Sequence, residues 1–245
     1  MPIAALSVLL ACVAAASAAA EEAIPAMTPD DIVARVASRG EANIALRDGL
    51  AWTKTETVTE TGTGRVKRQT VWDVWYRDGA TYQRKVRENG VLIHNAKTEK
   101  PDPDFGTTLG SLYRYELDDV PLQADPVSGR LCWVLRYRPS SDAQPDGDKE
   151  KVAALMSGTF YVDARGFWIR YATGSLTERY RKKVMFVPVG TAHSVDFTLE
   201  QAEVLGAVMT QRVHLRYHYS VVSVDTYEER VIGFSDFRMM PPDGQ

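Results

Sequence analysis

From Leu50 onward the chain alternates with a period of two. Thr53, Thr55, Thr57, Thr59 and Thr61 fall on one face, a row that suits a pleated strand and fits a helix poorly. Gly62-Thr63-Gly64 then turns the chain. A second long strand runs to Tyr76, with Val71, Trp72, Val74 and Trp75 apolar on both faces. Arg77-Asp78-Gly79 and Asn89-Gly90 mark further hairpin turns. Strands resume at 112–117 and at 130–138, where Leu131, Trp133, Leu135 and Tyr137 share one face. Residues 160–163 and 167–176 read as a hairpin turning at Ala164–Gly166. Strands at 184–187, 195–204, 208–219 and 221–237 follow. In the third of these, Val213, Leu215, Tyr217 and Tyr219 alternate with Arg212, His214, Arg216 and His218. That pattern predicts one buried and one wet face, as in an antiparallel sheet covered on one side.

Before this β region lies one clear helix start. Thr28-Pro29-Asp30-Asp31 combines an N-cap threonine, a proline at the first helical position and acids in the first turn. Ile32, Val33 and Val36 supply a helical stripe, with the end predicted near Gly40. A helical turn is predicted around 152–156, and polar breaks occupy 94–111 and 139–150. The fold class predicted is mainly β (α+β). It is a strongly curved antiparallel sheet or open half-barrel of about ten strands, with one or two short helices on the concave side.

Residues 1–20 contain no charged residue and end in small residues before Glu21-Glu22, which reads as an export signal. The expected organisation is a signal at 1–20 and a single β domain at 21–245, exported to a periplasm. Lipid anchoring through Cys12 is the minor alternative. With Cys12 in the signal, only Cys132 remains, so no internal disulfide forms. The net charge of −3 argues against nucleic acid as a partner.

Candidate chemistry is sparse. On a strand His214 and His218 stand about 13 Å apart, too far for one ion with bonds near 2 Å. No metal and no cofactor are therefore expected. Arg130 and Arg136 flank Cys132 on its side of the strand, an arrangement that lowers a thiol pKa, yet no partner base accompanies it. The acid pairs sit near turns without shielding, and no catalytic residue is assigned. The basic cluster Arg179, Arg181, Lys182 and Lys183 is a charged strand edge, or a contact for anionic headgroups or an acidic partner.

The segments SGTFYVDARGFWIRY (157–171), VIGFSDFRM (231–239) and YQRKVRENGVLI (82–93) resemble the LolA-like superfamily of periplasmic lipoprotein carriers and RseB-type sensor domains. The likeness lies in organisation over residues 28–239, and no functional residue transfers. It implies an open half-barrel enclosing an apolar cavity for acyl chains. The expected function is non-catalytic binding of a lipid or acylated ligand. Its expected lining is Trp72, Trp75, Trp133, Leu135, Phe160, Phe167, Ile169, Leu215 and Tyr217, with a membrane surface or envelope protein as a further partner. The alternatives are a protein-interaction or sensor module with a filled core, and a hydrolase using Cys132 or a carboxylate pair.

Overall fold

The computed structural model describes residues 24–100, 109–184, 187–221 and 224–241. The expected signal and Cys12 lie outside these residues. Helix α1 spans Pro29–Arg47. The strands are β1 (Leu50–Glu60), β2 (Val66–Arg77), β3 (Ala80–Glu88), β4 (Val91–Leu92), β5 (Thr98–Glu99), β6 (Tyr113–Ala124) and β7 (Leu131–Pro139). They continue as β8 (Met156–Asp163), β9 (Ile169–Leu176), β10 (Tyr180–Val184), β11 (Val187–Val204), β12 (Ala207–Val221) and β13 (Val224–Met239). Two short helical segments, α2 (Leu109–Leu112) and α3 (Gly147–Ala153), flank β6 and β8.

All thirteen strands belong to one antiparallel sheet in the order β4-β3-β2-β1-β13-β12-β11-β9-β8-β7-β6, with β10 on β11 and β5 on β3. The chain meanders outward from β1 and returns through β13, which pairs with β1 in the middle of the sheet. The sheet stays open, as a half-barrel does. The three strands beyond the expected ten are short: β4, β5 and β10 hold two, two and five residues. Segments this short carry too little alternation to be read.

Helix α1 begins as its sequence dictates. Thr28 accepts from the Asp31 backbone N–H at 3.2 Å, and the Asp31 carboxylate answers at the Thr28 N–H. That hydrogen bonding holds the Asp31 carboxyl below its usual value. The predicted end at Gly40 is corrected: the helix continues to Arg47. Gly40 costs about 1 kcal/mol there. The next turn is docked by Asn43, which donates to the Val208 carbonyl at 2.8 Å and accepts from the Val208 N–H at 2.7 Å. Arg35 lies over Phe167, and Arg47 over Trp52 and Tyr76. The helix therefore runs along one end of the sheet, where the β2–β3, β8–β9 and β11–β12 turns gather.

The core is divided in two. Under α1, α2 and α3 lie Ile32, Leu112, Trp133, Leu135, Phe160 and Val162. At the other flank Leu50, Trp52, Trp72, Val74, Tyr76 and Met209 form a second cluster. Gly158 faces Gly174 across β8 and β9, and the Tyr137 hydroxyl donates over this pair to the Thr173 carbonyl at 3.1 Å. A Cβ on Gly158 would meet the Thr173 carbonyl oxygen at 2.0 Å, so the packing of β8 on β9 beside the first cluster depends on a close backbone approach here.

Candidate functional site

Strand register carries single lines of side chains across the inner, helix-bearing face. One line runs Leu135, Phe160, Ala172, Leu199, Val213, Ile232, Glu56, Thr70. Its neighbour runs Tyr137, Gly158, Gly174, Phe197, Leu215, Arg230, Val58, Arg68. Toward the flanks Leu135 is 1 % exposed, Ala172 0 %, Val58 4 % and Thr70 1 %, while the outermost Arg68 reaches solvent. In the middle, on β11, β12 and β13, burial is incomplete. Leu199, Val213, Ile232, Phe197, Leu215 and Tyr217 are all partly exposed. The expectation that Val213, Leu215, Tyr217 and Tyr219 form a fully buried face is therefore corrected. The helix closes only one end of the sheet, and the central strands keep a strip of partly exposed apolar side chains, a shallow trough.

Charged groups border this trough on the β1–β2 side. Glu56 is only 7 % exposed. Arg68 reaches it at 3.2 Å and Arg230 at 3.5 Å. A carboxylate so buried is tolerated because two guanidinium groups hold it. The Arg230 guanidinium also lies 5.5 Å from the Tyr217 ring centre. Burial raises the Tyr217 phenol above its usual value, while Arg230 opposes the rise. Its hydroxyl is buried without a hydrogen-bond partner among the described residues. Lys54 stands 4.3 Å over the Trp72 ring and donates to Gln83 at 3.2 Å.

The residues singled out from the sequence divide by register. Leu215 and Tyr217 line the trough. Trp133, Leu135 and Phe160 are on the same face but sit within the core under α1. Ile169 packs against that core, and Trp72 is buried in the second cluster. Phe167 occupies the β8–β9 turn and lines an open cleft of ≈ 380 Å³ against Arg35, Ser38, Arg39 and Ala42 of α1. Trp75 points to the outer face, where it stacks on Tyr82 at 6.0 Å. Arg179 and Arg181 are exposed at the start of β10, and the side chains of Lys182 and Lys183 lie outside the described residues. Val195, Phe197, Leu199 and Ile232 were missed. Their alternation within β11 and β13 was the available signal, but only pairing shows that they share the sheet face on which the core packs.

Cys132 is 0 % exposed, and burial, followed by the nearby Asp125 and Asp163 carboxylates, pushes its thiol up to about 12. This corrects the reading of Arg130 and Arg136 as activating neighbours. Buried Asp125 belongs to the same region. It accepts from the backbone N–H groups of Val127, Ser128 and Arg130, and pairs with Arg170. Burial pushes its carboxyl up, but these bonds outweigh that and keep it below the ordinary value. Asp163 holds the other side of Arg170 at 3.0 Å. The cluster ties the β6–β7 turn to β9. On the outer face, His193, His218 and Asp225 bring ligating atoms within 4.8 Å of one another.

The described residues thus form an open antiparallel half-barrel with a helix across one end. The chain is similar in structure to a LolA superfamily protein of Nitrosomonas europaea, at 11 % identity and a TM-score of 0.35, covering 89 % of this chain and 96 % of that one. A putative outer membrane lipoprotein-sorting protein domain of Vibrio parahaemolyticus matches at 10 % identity and a TM-score of 0.42, over 86 % and 95 %. MucB of Pseudomonas aeruginosa, in its complex with MucA, matches at 12 % identity and a TM-score of 0.27, over 87 % and 99 %. No family model matches the sequence, and no curated protein matches it. Among the described residues no helix is long and apolar enough to cross a membrane.

Proposed function

We propose that this chain is an exported, non-catalytic binding protein that holds a lipid or acylated ligand in the trough of β11, β12 and β13. The observation that carries this reading is the gradient of burial along each inner-face line. Leu135, Tyr137 and Phe160 are sealed at the β7–β8 flank, whereas Leu199, Val213, Phe197, Leu215 and Ile232 are left partly exposed in the centre. Apolar surface left open on a concave wall gains on covering by roughly 25 cal/mol per Å². An acyl chain fits such a strip, since it is long, narrow and apolar. The unsatisfied Tyr217 hydroxyl and the Arg68–Glu56–Arg230 group give the strip a polar border. A phenol without a partner is costly to bury, and an ester or carboxylate oxygen satisfies it. The lipoprotein-sorting description of one structural neighbour agrees with this cargo class.

The second reading is an envelope protein-interaction or sensor module. It draws support from the filled flanks, which leave a surface trough rather than an enclosed cavity. A fluorescent fatty acid separates the two readings. Binding saturates with the wild-type protein and is abolished by Leu215→Glu if the trough holds an acyl chain. A wild-type protein that gives no response contradicts the carrier and leaves the interaction module.

A further inference from the structure

The outer face of the same central strands carries an arrangement unrelated to the trough. His193 lies in the irregularity of β11 between Ala192, which pairs with Tyr219, and Ser194, which pairs with His218. The extra residue brings His193 onto the outer face beside His218, and the two rings stand 4.4 Å apart. Asp225 arrives from β13 opposite Ser220, diagonal to His218. Its Oδ1 is 3.2 Å from the His218 Nε2 and 3.9 Å from the His193 Nε2. The ligating atoms all lie within 4.8 Å of one another. A tetrahedral ion with bonds of about 2.0–2.1 Å sets its ligands roughly 3.3 Å apart, which the His218–Asp225 pair already meets and to which the wider separations close by side-chain rotation.

We propose that His193, His218 and Asp225 form a binding site for a divalent transition-metal ion, with zinc the representative occupant. Two imidazole nitrogens and one carboxylate oxygen suit zinc, nickel or cobalt. Magnesium and calcium require all-oxygen shells. The histidine side chains are 22 % and 24 % exposed and Asp225 is 59 % exposed, so the imidazoles are held by packing while the ion's remaining position faces water. Tyr227 stacks on His218 at 4.0 Å, and the Ser220 hydroxyl sits 2.9 Å from the His193 Nε2. The Tyr227 stack holds the His218 ring from outside the ligand set, whereas the Ser220 hydroxyl occupies the His193 nitrogen that an ion would take. The two imidazoles are nearly parallel, at 19°. Ion capture rotates them toward a common point and breaks the Ser220 contact, so the site is one of moderate affinity. His214 takes no part, because it is engaged by Glu229.

The test is titration of the untagged full chain with zinc alone by calorimetry, and with cobalt alone by visible absorption. The expected result is one ion per chain and the intense visible bands of tetrahedral cobalt. His193→Ala, His218→Ala and Asp225→Asn each weaken binding by more than about tenfold. His214→Ala leaves it unchanged. Circular dichroism and thermal melting of each variant without metal confirm that the fold is intact. Absence of saturable binding, or binding that survives all three ligand substitutions in folded protein, overturns the proposal. Loss of fatty-acid binding does not bear on it, since the two sites lie on opposite faces.

Discussion

Cys132 shows how neighbours along a strand mislead about reactivity. Arg130 and Arg136 share its side of β7, but the carboxylates of Asp125 and Asp163 reach it through space and burial dominates. The folded protein is therefore expected to resist a thiol-specific reagent at pH 8 and to label Cys132 once unfolded in urea. Rapid labelling of the native state contradicts this. Asp125 is legible only as an acid in a turn, since its three backbone donors become visible with the folded loop. Its folded carboxyl lies below the ordinary 3.8. Its stabilisation is thus complete above that value and is lost as pH falls through the lower folded one. Asp125→Ala is expected to cost about 3 kcal/mol at pH 7, because it leaves Arg170 short of a buried partner. Urea unfolding at pH 7 and below pH 3 checks both parts: the difference between wild type and variant shrinks in acid.

At the scale of elements, the alternation of β1, β2, β7 and β12 and the cap of α1 could be read directly from residues. Strand identity is a local property, which two-residue periodicity and turn residues report. Asn89 and Gly90 adopt the positive φ values that a tight hairpin demands, 47° and 83°. Pairing between distant strands is not local, and so the β1–β13 junction and the inner face of β11 stayed hidden. The continuation of α1 past Gly40 was equally invisible, because it rests on Asn43 meeting Val208 on a strand far along the chain. Asn43→Ala removes both of those bonds and is expected to cost about 2 kcal/mol, with increased hydrogen exchange confined to the last turns of α1. Gly158→Ala is expected to cost about 3 kcal/mol or more by chemical denaturation, since its Cβ collides with backbone rather than with a flexible side chain. A variant as stable as wild type contradicts the close approach of β8 and β9.

On the scale of the whole molecule, the sheet is too long for α1, the one substantial helix among the described residues, to cover. Export, if the leader acts as its pattern predicts, delivers this open surface to a compartment bounded by lipid. The half-barrel itself was legible from the number of long alternating strands and the single helix start. The candidate site was legible only in Leu215 and Tyr217, because the sequence ranks apolar residues by type and not by what covers them. Trp133 and Phe160 are stronger candidates by type, yet α1 and its neighbours bury them. Substitution separates the two groups. Leu215→Glu should abolish ligand uptake while changing the melting temperature little, whereas Leu135→Ala should cost about 3 kcal/mol of stability. Under the proposed function, an acyl chain fills the trough of β11–β13 in the cell. Organic extraction of the protein purified from its own envelope, followed by mass spectrometry, tests it most directly. Recovery of a stoichiometric lipid or acylated species from wild type, absent from Leu215→Glu, is the predicted result; an empty wild-type protein would contradict the account.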